Sequence, residues 1–235
     1  MDTTVTEIAP SVYRISTLHP HYGIQFNQFL VDDEEPFLMH TGFRKMFPLT
    51  IEGVRKVMPP KRLRWIGYSH FEPDECGALN EWLASAPQAS PVCSVVGAMV
   101  MLNDYSDRAA RPLQDGEVFS IGKRRLRFLA TPHLPHGWDA GLFFEETDGT
   151  LFCSDLFFQP GETAPVTESD VVGPARESMA HGASSPLAKD IPYTPYTDAT
   201  LARLAALKPC TLAVMHGASF RGDGEKAIRE LAGAV

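Results

Sequence analysis

The chain has few cysteines, and none in a paired motif. Cys76, Cys93, Cys153 and Cys210 are its four, and they form no Cys-x-x-Cys. A chain of 235 residues can bury an adequate core without disulfides, so a disulfide scaffold and a thiolate metal site are both excluded as expectations. No apolar run approaches the roughly 18 residues of a membrane-crossing helix. The opening residues MDTTVTEIAP lack the basic and apolar regions of a secretory leader. Positive charge is also scarce: 21 Lys and Arg stand against 29 Asp and Glu, a net charge of −8, which argues against a nucleic-acid partner. There is no Ser/Gly linker, and no repeat of about 20–50 residues. These absences leave a single globular domain over 1–235, with reduced thiols, expected in the cytoplasm and off the membrane.

What is present is strand and helix in alternation. Ile24 to Val31 alternates apolar and polar residues and reads as a strand. Phe37 to His40 follows a DDEEP turn and is expected to pair with it as a hairpin. Leu49 to Met58 reads as a helix stopped by Pro59 and Pro60, and Arg62 to Ser69 as a strand. Glu75 to Ser85 and Gly97 to Tyr105 read as short helices around a strand at Pro91 to Val96. Three strand-like runs follow at 124–131, 141–147 and 150–158. Then come a helix at 197–208 capped by Thr197 or Asp198, a strand at 211–216 and a helix at 225–234. Two packed sheets with helices outside bury this pattern, an α/β fold in four αββα layers. The stretch 159–196 is rich in Pro, Gly, Ser and Thr. It reads either as a cover over a site, with one helical turn near Ala175 to Met179, or as a surface insertion.

The densest polar cluster follows the strand at 62–69. His70, Glu72, Asp74 and Glu75 fall within six residues, and such groups repel one another unless solvated or bound to cations. Three other strand ends also deliver N or O donors: the run Ala130 to Asp139 with His133 and His136, Cys153-Ser-Asp155, and Met215-His216-Gly217. One such residue is usually structural, whereas four strand ends with donors point to a metal site.

The ordered set His-x-x-x-Asp, His-x-Pro, Ser-Asp and His-Gly resembles the metallo-β-lactamase fold superfamily, over roughly Val12 to Arg221. Within it the chain is similar to the flavodiiron proteins and their oxygen-binding diiron (ODP) relatives. Glu72 discriminates: hydrolases of this fold read His-x-His-x-Asp-His, and the diiron branch reads His-x-Glu-x-Asp, as in His70-Phe-Glu72-Pro-Asp74. The resemblance implies one metal on His70, Glu72 and His133, a second on Asp74 and His216, and Asp155 between them. His133 is preferred to His136 because His133-Leu-Pro135 fits His-x-Pro, which leaves His136 a loop or outer residue. Glu75 stands where the family has His, either as a carboxylate ligand or leaving that position to solvent.

The implied cofactor is a pair of iron ions, with zinc as the alternative. No flavodoxin-like domain follows the core, so no FMN is expected within the chain. Three carboxylates against two divalent ions leave a charge of about +1, or about 0 with Glu75, which favours oxidised iron over a Lewis-acidic hydrolase. The expected function is binding or reduction of O2, with NO or peroxide as related ligands, as a sensor or a reductase. Electrons would come from a separate flavoprotein or rubredoxin. The alternatives are a dinuclear zinc hydrolase acting on an ester, thioester or phosphodiester, and a metal-free interaction domain. A homodimer follows from the resemblance alone. His21, in Leu-His-Pro-His-Tyr-Gly with His19, is read as a candidate donor to a bound oxygen species, against a plain surface turn. Tyr22, Phe71 and Trp138 are candidate walls of the pocket. His40 is expected to make a supporting hydrogen bond. The cysteines are expected to be buried, with Cys76 the one to test for redox sensitivity.

Overall fold

The computed structural model describes residues 2–185, 188 and 190–235. Among these the strands form two seven-stranded sheets. The first runs in chain order: β1 (Thr3–Ala9), β2 (Val12–His19), β3 (Ile24–Val31), β4 (Phe37–Met39), β5 (Trp65–Gly67), β6 (Ser90–Ser94) and β7 (Arg111–Leu113). Its first four strands pair antiparallel and the rest parallel. The second contains β8 (Val118–Ser120), β9 (Arg125–Ala130), β10 (Gly141–Glu145), β11 (Thr150–Ser154), β12 (Val166–Thr167), β13 (Thr211–Val214) and β14 (Ser219–Arg221), in the order β12-β14-β13-β11-β10-β9-β8.

Side-chain alternation sorts these strands into layers. Phe29, Val31, Phe37 and Met39 meet Phe128, Phe143, Phe152 and Ala213 between the sheets. The residues in between point outward. Leu30, Leu38 and Ile66 pack under α1 (Phe47–Arg55) and α3 (Leu79–Ser85), with Ile51, Val54 and Trp82. Leu142, Phe144, Leu151, Cys153, Leu212 and Val214 pack under helices on the far face. Because both faces of the central strands are covered, strands such as β10, β11 and β13 read as largely apolar runs, while β3 keeps an alternation with buried Gln25 and Asn27. The result is the expected four-layer αββα sandwich.

Several boundaries differ from the sequence reading. The helix expected from Glu75 is two pieces, α2 (Pro73–Cys76) and α3. Gly77 separates them, and a Cβ there would lie 2.2 Å from the Pro73 carbonyl oxygen. Val95 leaves β6 for α4 (Val95–Gly97), which continues through Ala98–Leu102 into α5 (Asn103–Tyr105). The stretch 159–196 holds β12 and a full helix, α6 (Val172–Gly182), rather than a single turn. Its Val172 and Ala175 are buried in the outer cluster with residues of α7 (Thr197–Ala206) and α8 (Gly224–Ala232), so tertiary burial sustains a helix that composition obscured. Thr197 is the first helical residue of α7, not its cap. Among the described residues no helix is long and apolar enough to cross a membrane.

Candidate metal centre

His40 follows β4, His70 follows β5, Asp155 follows β11 and His216 follows β13. All four strands have parallel neighbours, and all four residues leave carboxyl ends, the edge where open α/β sheets collect their sites. The β11–β13 register slips between Phe152 and Ser154, and Ser154 and Phe157 adopt left-handed backbone (φ 51° and 67°) around Asp155. A bulge of this kind re-aims side chains at a strand end. Non-glycine residues in that region cost on the order of 1–3 kcal/mol each, and here they flank a functional candidate. His40 is a third, at φ 65°.

Seven ionisable side chains converge. His70 Nε2 lies 3.8 Å from Glu72, 3.7 Å from Glu75 and 3.5 Å from Asp155. His136 Nε2 lies 3.2 Å from Glu72 and 3.5 Å from Asp155. His216 Nε2 lies 3.4 Å from Asp74 and 3.2 Å from Asp155. Asp155 therefore joins two sets, His70–Glu72–His136 and Asp74–His216.

His133 does not enter this cluster, and the preference for it is corrected. It is exposed at φ 65°. Its N–H donates to the Gly137 carbonyl, while Thr131 and Leu134 are tied by hydrogen bonds in both directions and Leu134 is buried. The loop is thus pinned at Leu134, which leaves His133 outside and brings His136 in. His21 is likewise not brought to the cluster. It is exposed on the β2–β3 turn, and its ring contacts are His19 and Tyr22. Among the proposed walls, Tyr22 and Trp138 are 55% and 53% exposed, and Tyr22 lines a cleft of roughly 430 Å³ with His19, Phe43, Pro73 and Tyr105. Phe71 packs on Tyr105 and Tyr68.

The electrostatics are those of a cation seat. Contacts with His136 and then His70 hold the Glu72 carboxyl down to about 2. Burial would lower His136 and His216, but their carboxylate neighbours outweigh it and hold them up to about 9 and about 10. Burial, reinforced by Asp155 and Asp74, pushes Glu75 well above the carboxylate range. His70 Nε2, Asp155 Oδ1 and both Glu75 oxygens are buried without a hydrogen-bond partner of good geometry. Ligands at about 2.0–2.2 Å from one metal ion stand roughly 3–3.5 Å apart, so the spacings above match the edges of coordination polyhedra better than hydrogen bonds. The donor set, imidazole and carboxylate without thiolate, suits iron or manganese as well as zinc. The residues fit a two-metal centre.

A supporting layer orients the imidazoles, and sequence reading missed most of it. His216 Nδ1 donates to the Gln25 carbonyl at 2.9 Å, which turns Nε2 toward Asp74 and Asp155. Ser69 Oγ lies 3.1 Å from His70 Nδ1, 3.1 Å from His40 Nε2 and 2.7 Å from Ser154 Oγ. His40 makes the expected supporting hydrogen bond to Ser69, and burial lowers its pKa to about 3, which keeps its ring neutral. Buried Arg14 donates to the Gly217 carbonyl and to Gln25 Oε1. The one available signal was that Ser69 and Ser154 each immediately precede a ligand candidate at a strand end. Gly217 explains the His-Gly pair: its φ is 123°, and a Cβ there would lie 2.6 Å from Gln159 Cβ. Gly217→Ala is expected to destabilise the chain by about 1–3 kcal/mol, measured as a lowered urea midpoint. Of the cysteines, Cys210 is exposed, contrary to expectation, and Cys76 is buried with its thiol pushed up by burial. That environment disfavours the reactive thiolate at Cys76.

A family model described as "ODP family beta lactamase" matches residues 24–181, roughly two thirds of the chain. Rubredoxin-oxygen oxidoreductase from Megalodesulfovibrio gigas is 26% identical over 210 residues, covering 88% of this chain and 51% of that protein. A putative diflavin flavoprotein from Nostoc sp. is 29% identical over 141 residues, covering 57% of this chain and 24% of that protein. Among solved structures, the rubredoxin oxygen:oxidoreductase from Desulfovibrio gigas superposes with a TM-score of 0.84 at 22% identity, over 98% of this chain and 61% of that one. A Nostoc fragment, residues 1–254 of a putative diflavin flavoprotein, superposes with a TM-score of 0.80 at 19% identity, over 99% and 96% of the two chains. The chain spans about a quarter to a half of the curated relatives it matches.

Proposed function

This chain belongs to the ODP beta-lactamase family, and on that premise we propose that it is a non-haem diiron protein that binds or reduces O2, with NO or peroxide as related ligands. One observation carries the reading: three histidines and four carboxylates meet at metal-ligand spacing, with buried, unpartnered atoms on His70, Asp155 and Glu75. His70, Glu72 and His136 would hold one ion, Asp74 and His216 the other, with Asp155 common to both. Bound iron would supply redox-active, open coordination positions for a small molecule. The chain's own part is orientation and charge. Ser69 and the Gln25 carbonyl set the faces of His70 and His216, and Glu72, where the hydrolase pattern has a second histidine, adds a negative charge beside them. An external electron donor, a flavoprotein or a rubredoxin, belongs to the same reading, as do a homodimer and a cytoplasmic location. The segment 159–196 borders the site. Among its described residues, Gln159 N donates to the His216 carbonyl and the Asp190 backbone approaches His136, so we assign the segment as a cover; Pro186, Leu187 and Lys189 lie outside the described residues.

The test is metal content after anaerobic purification from iron-replete cells. About two irons per chain, with a near-ultraviolet absorption band appearing on exposure to O2, is the expected result. Two zincs that persist against excess Fe(II) would overturn it. Ser69→Ala removes the partner of His70 Nδ1 and is expected to weaken metal affinity about 10–100-fold, the usual cost of losing an outer-shell partner. Competition against a chelator measures this.

A further inference from the structure

The assigned ligands leave one member of the cluster without work. Glu75 is fully buried, with side-chain exposure of 1%. Neither carboxyl oxygen has a hydrogen-bond partner of good geometry, and the side chain approaches a second carboxyl group, that of Asp74. Burying such a group unpaired costs on the order of 1–3 kcal/mol or more, so its position calls for a partner. The backbone leaves it no alternative. The Glu75 carbonyl accepts from both Thr41 N, at 2.7 Å, and Thr41 Oγ1, at 3.1 Å, and Ala78 N donates to the Gly42 carbonyl. This strap after β4 clamps α2 and aims Glu75 inward.

What it meets there belongs to both ligand sets. Its Oε1 is 3.7 Å from His70 Nε2, and donor atoms of His70, Glu75 and Asp155 all lie within 4.8 Å of one another. The same holds for Glu72, Asp74 and Glu75. Glu75 thus stands between the residues of the first seat and Asp74 of the second. We propose, resting on the diiron reading, that Glu75 is a ligand of the two-metal centre whose carboxylate spans both seats, as Asp155 does.

Charge supports the assignment. Two divalent ions against Glu72, Asp74 and Asp155 leave a buried charge of about +1, and the Glu75 carboxylate brings it to about 0, which removes most of the cost of holding charge away from water. The assignment also explains how the chain does without a histidine at this position. The short reach from α2 that an imidazole would cover with one nitrogen is covered by a group with two donor atoms.

The experiment titrates the metal-free full chain with Mn(II) under argon, reading stoichiometry and affinity by calorimetry and free Mn(II) by electron paramagnetic resonance. The wild type should bind two ions. Glu75→Gln keeps the shape and removes the charge, and it should lose one ion or bind at least about 100-fold more weakly. Glu75→His, which restores a nitrogen donor, should bind two ions. Circular dichroism on the metal-free variants checks that each is folded, and Glu75→Ala stands in should Glu75→Gln fail to fold. Two ions bound to Glu75→Gln with wild-type affinity would overturn the proposal. Asp155→Ala separates the two layers of argument. If it loses metal while Glu75→Gln does not, only the role of Glu75 falls. If neither variant loses metal, the two-metal reading itself falls.

Discussion

Asp155→Ala is expected to weaken metal binding at both seats, so that metal content falls clearly below two ions per chain. The reason is geometric. Asp155 Oδ2 is 3.5 Å from both His70 Nε2 and His136 Nε2, and Oδ1 is 3.2 Å from His216 Nε2. Each oxygen faces a different set, so one substitution removes a donor from both seats. It also removes the negative charge that offsets two adjacent cations. Metal sites of this kind need three or four protein donors, and without Asp155 the second seat falls to Asp74, His216 and, on the proposal above, Glu75. The fold should survive, because the residues of β11 before Asp155 (Leu151, Phe152 and Cys153) are buried by their own packing. Elemental analysis beside a thermal melt is the measurement. Two ions retained by a folded Asp155→Ala chain would rule out the shared-ligand assignment.

His136→Ala is expected to remove one metal per chain, or to weaken it by more than about 100-fold, since loss of an outer-shell partner alone costs roughly 10–100-fold. His133→Ala is expected to leave metal content unchanged. The two residues are three positions apart on one loop, so the pair controls for any general effect on that loop. His136 Nε2 has Glu72 at 3.2 Å, and His133 is exposed with its backbone spent on a turn to Gly137. Elemental analysis of both variants, purified in parallel, reads the result. The reverse outcome, metal lost with His133 and kept with His136, would mean that the loop takes another form when metal is bound.

Much of this site was legible in the residues. His70, Glu72, Asp74, Asp155 and His216 stand out because each follows an apolar strand with an N or O donor, and the structure gathers all five. Glu72, where the hydrolase pattern has a second histidine, narrows the chemistry through the resemblance to the diiron branch. The loop histidine was not legible. His133-Leu-Pro and His136 are both compatible with a donor after β9, and local pattern favoured the one that the fold leaves in solvent. The decision lies in Leu134, whose burial against residues of β9 to β11 is a tertiary contact. His21 failed for a related reason. A histidine near a site in sequence is not near it in space when its turn projects into solvent.

The supporting layer was hidden because its bonds span the chain. Ser69 to Ser154 closes a separation of 85 residues, and His216 to the Gln25 carbonyl closes 191. No window of sequence contains both partners. Helix α6 was obscured in the same way, since its Pro and Gly content masked a helix that burial on the second sheet sustains.

The sequence by itself determined the layers, because period-two alternation on strands and apolar faces on helices admit one arrangement that buries both. It also determined the ligand types, because donor chemistry is a property of side chains. The tertiary structure alone decided which of two histidines joins the cluster, and that Glu75 lies buried beside His70, Asp74 and Asp155. Those are questions of direction, and a side chain's direction is set by the packing and long-range hydrogen bonds that hold its backbone.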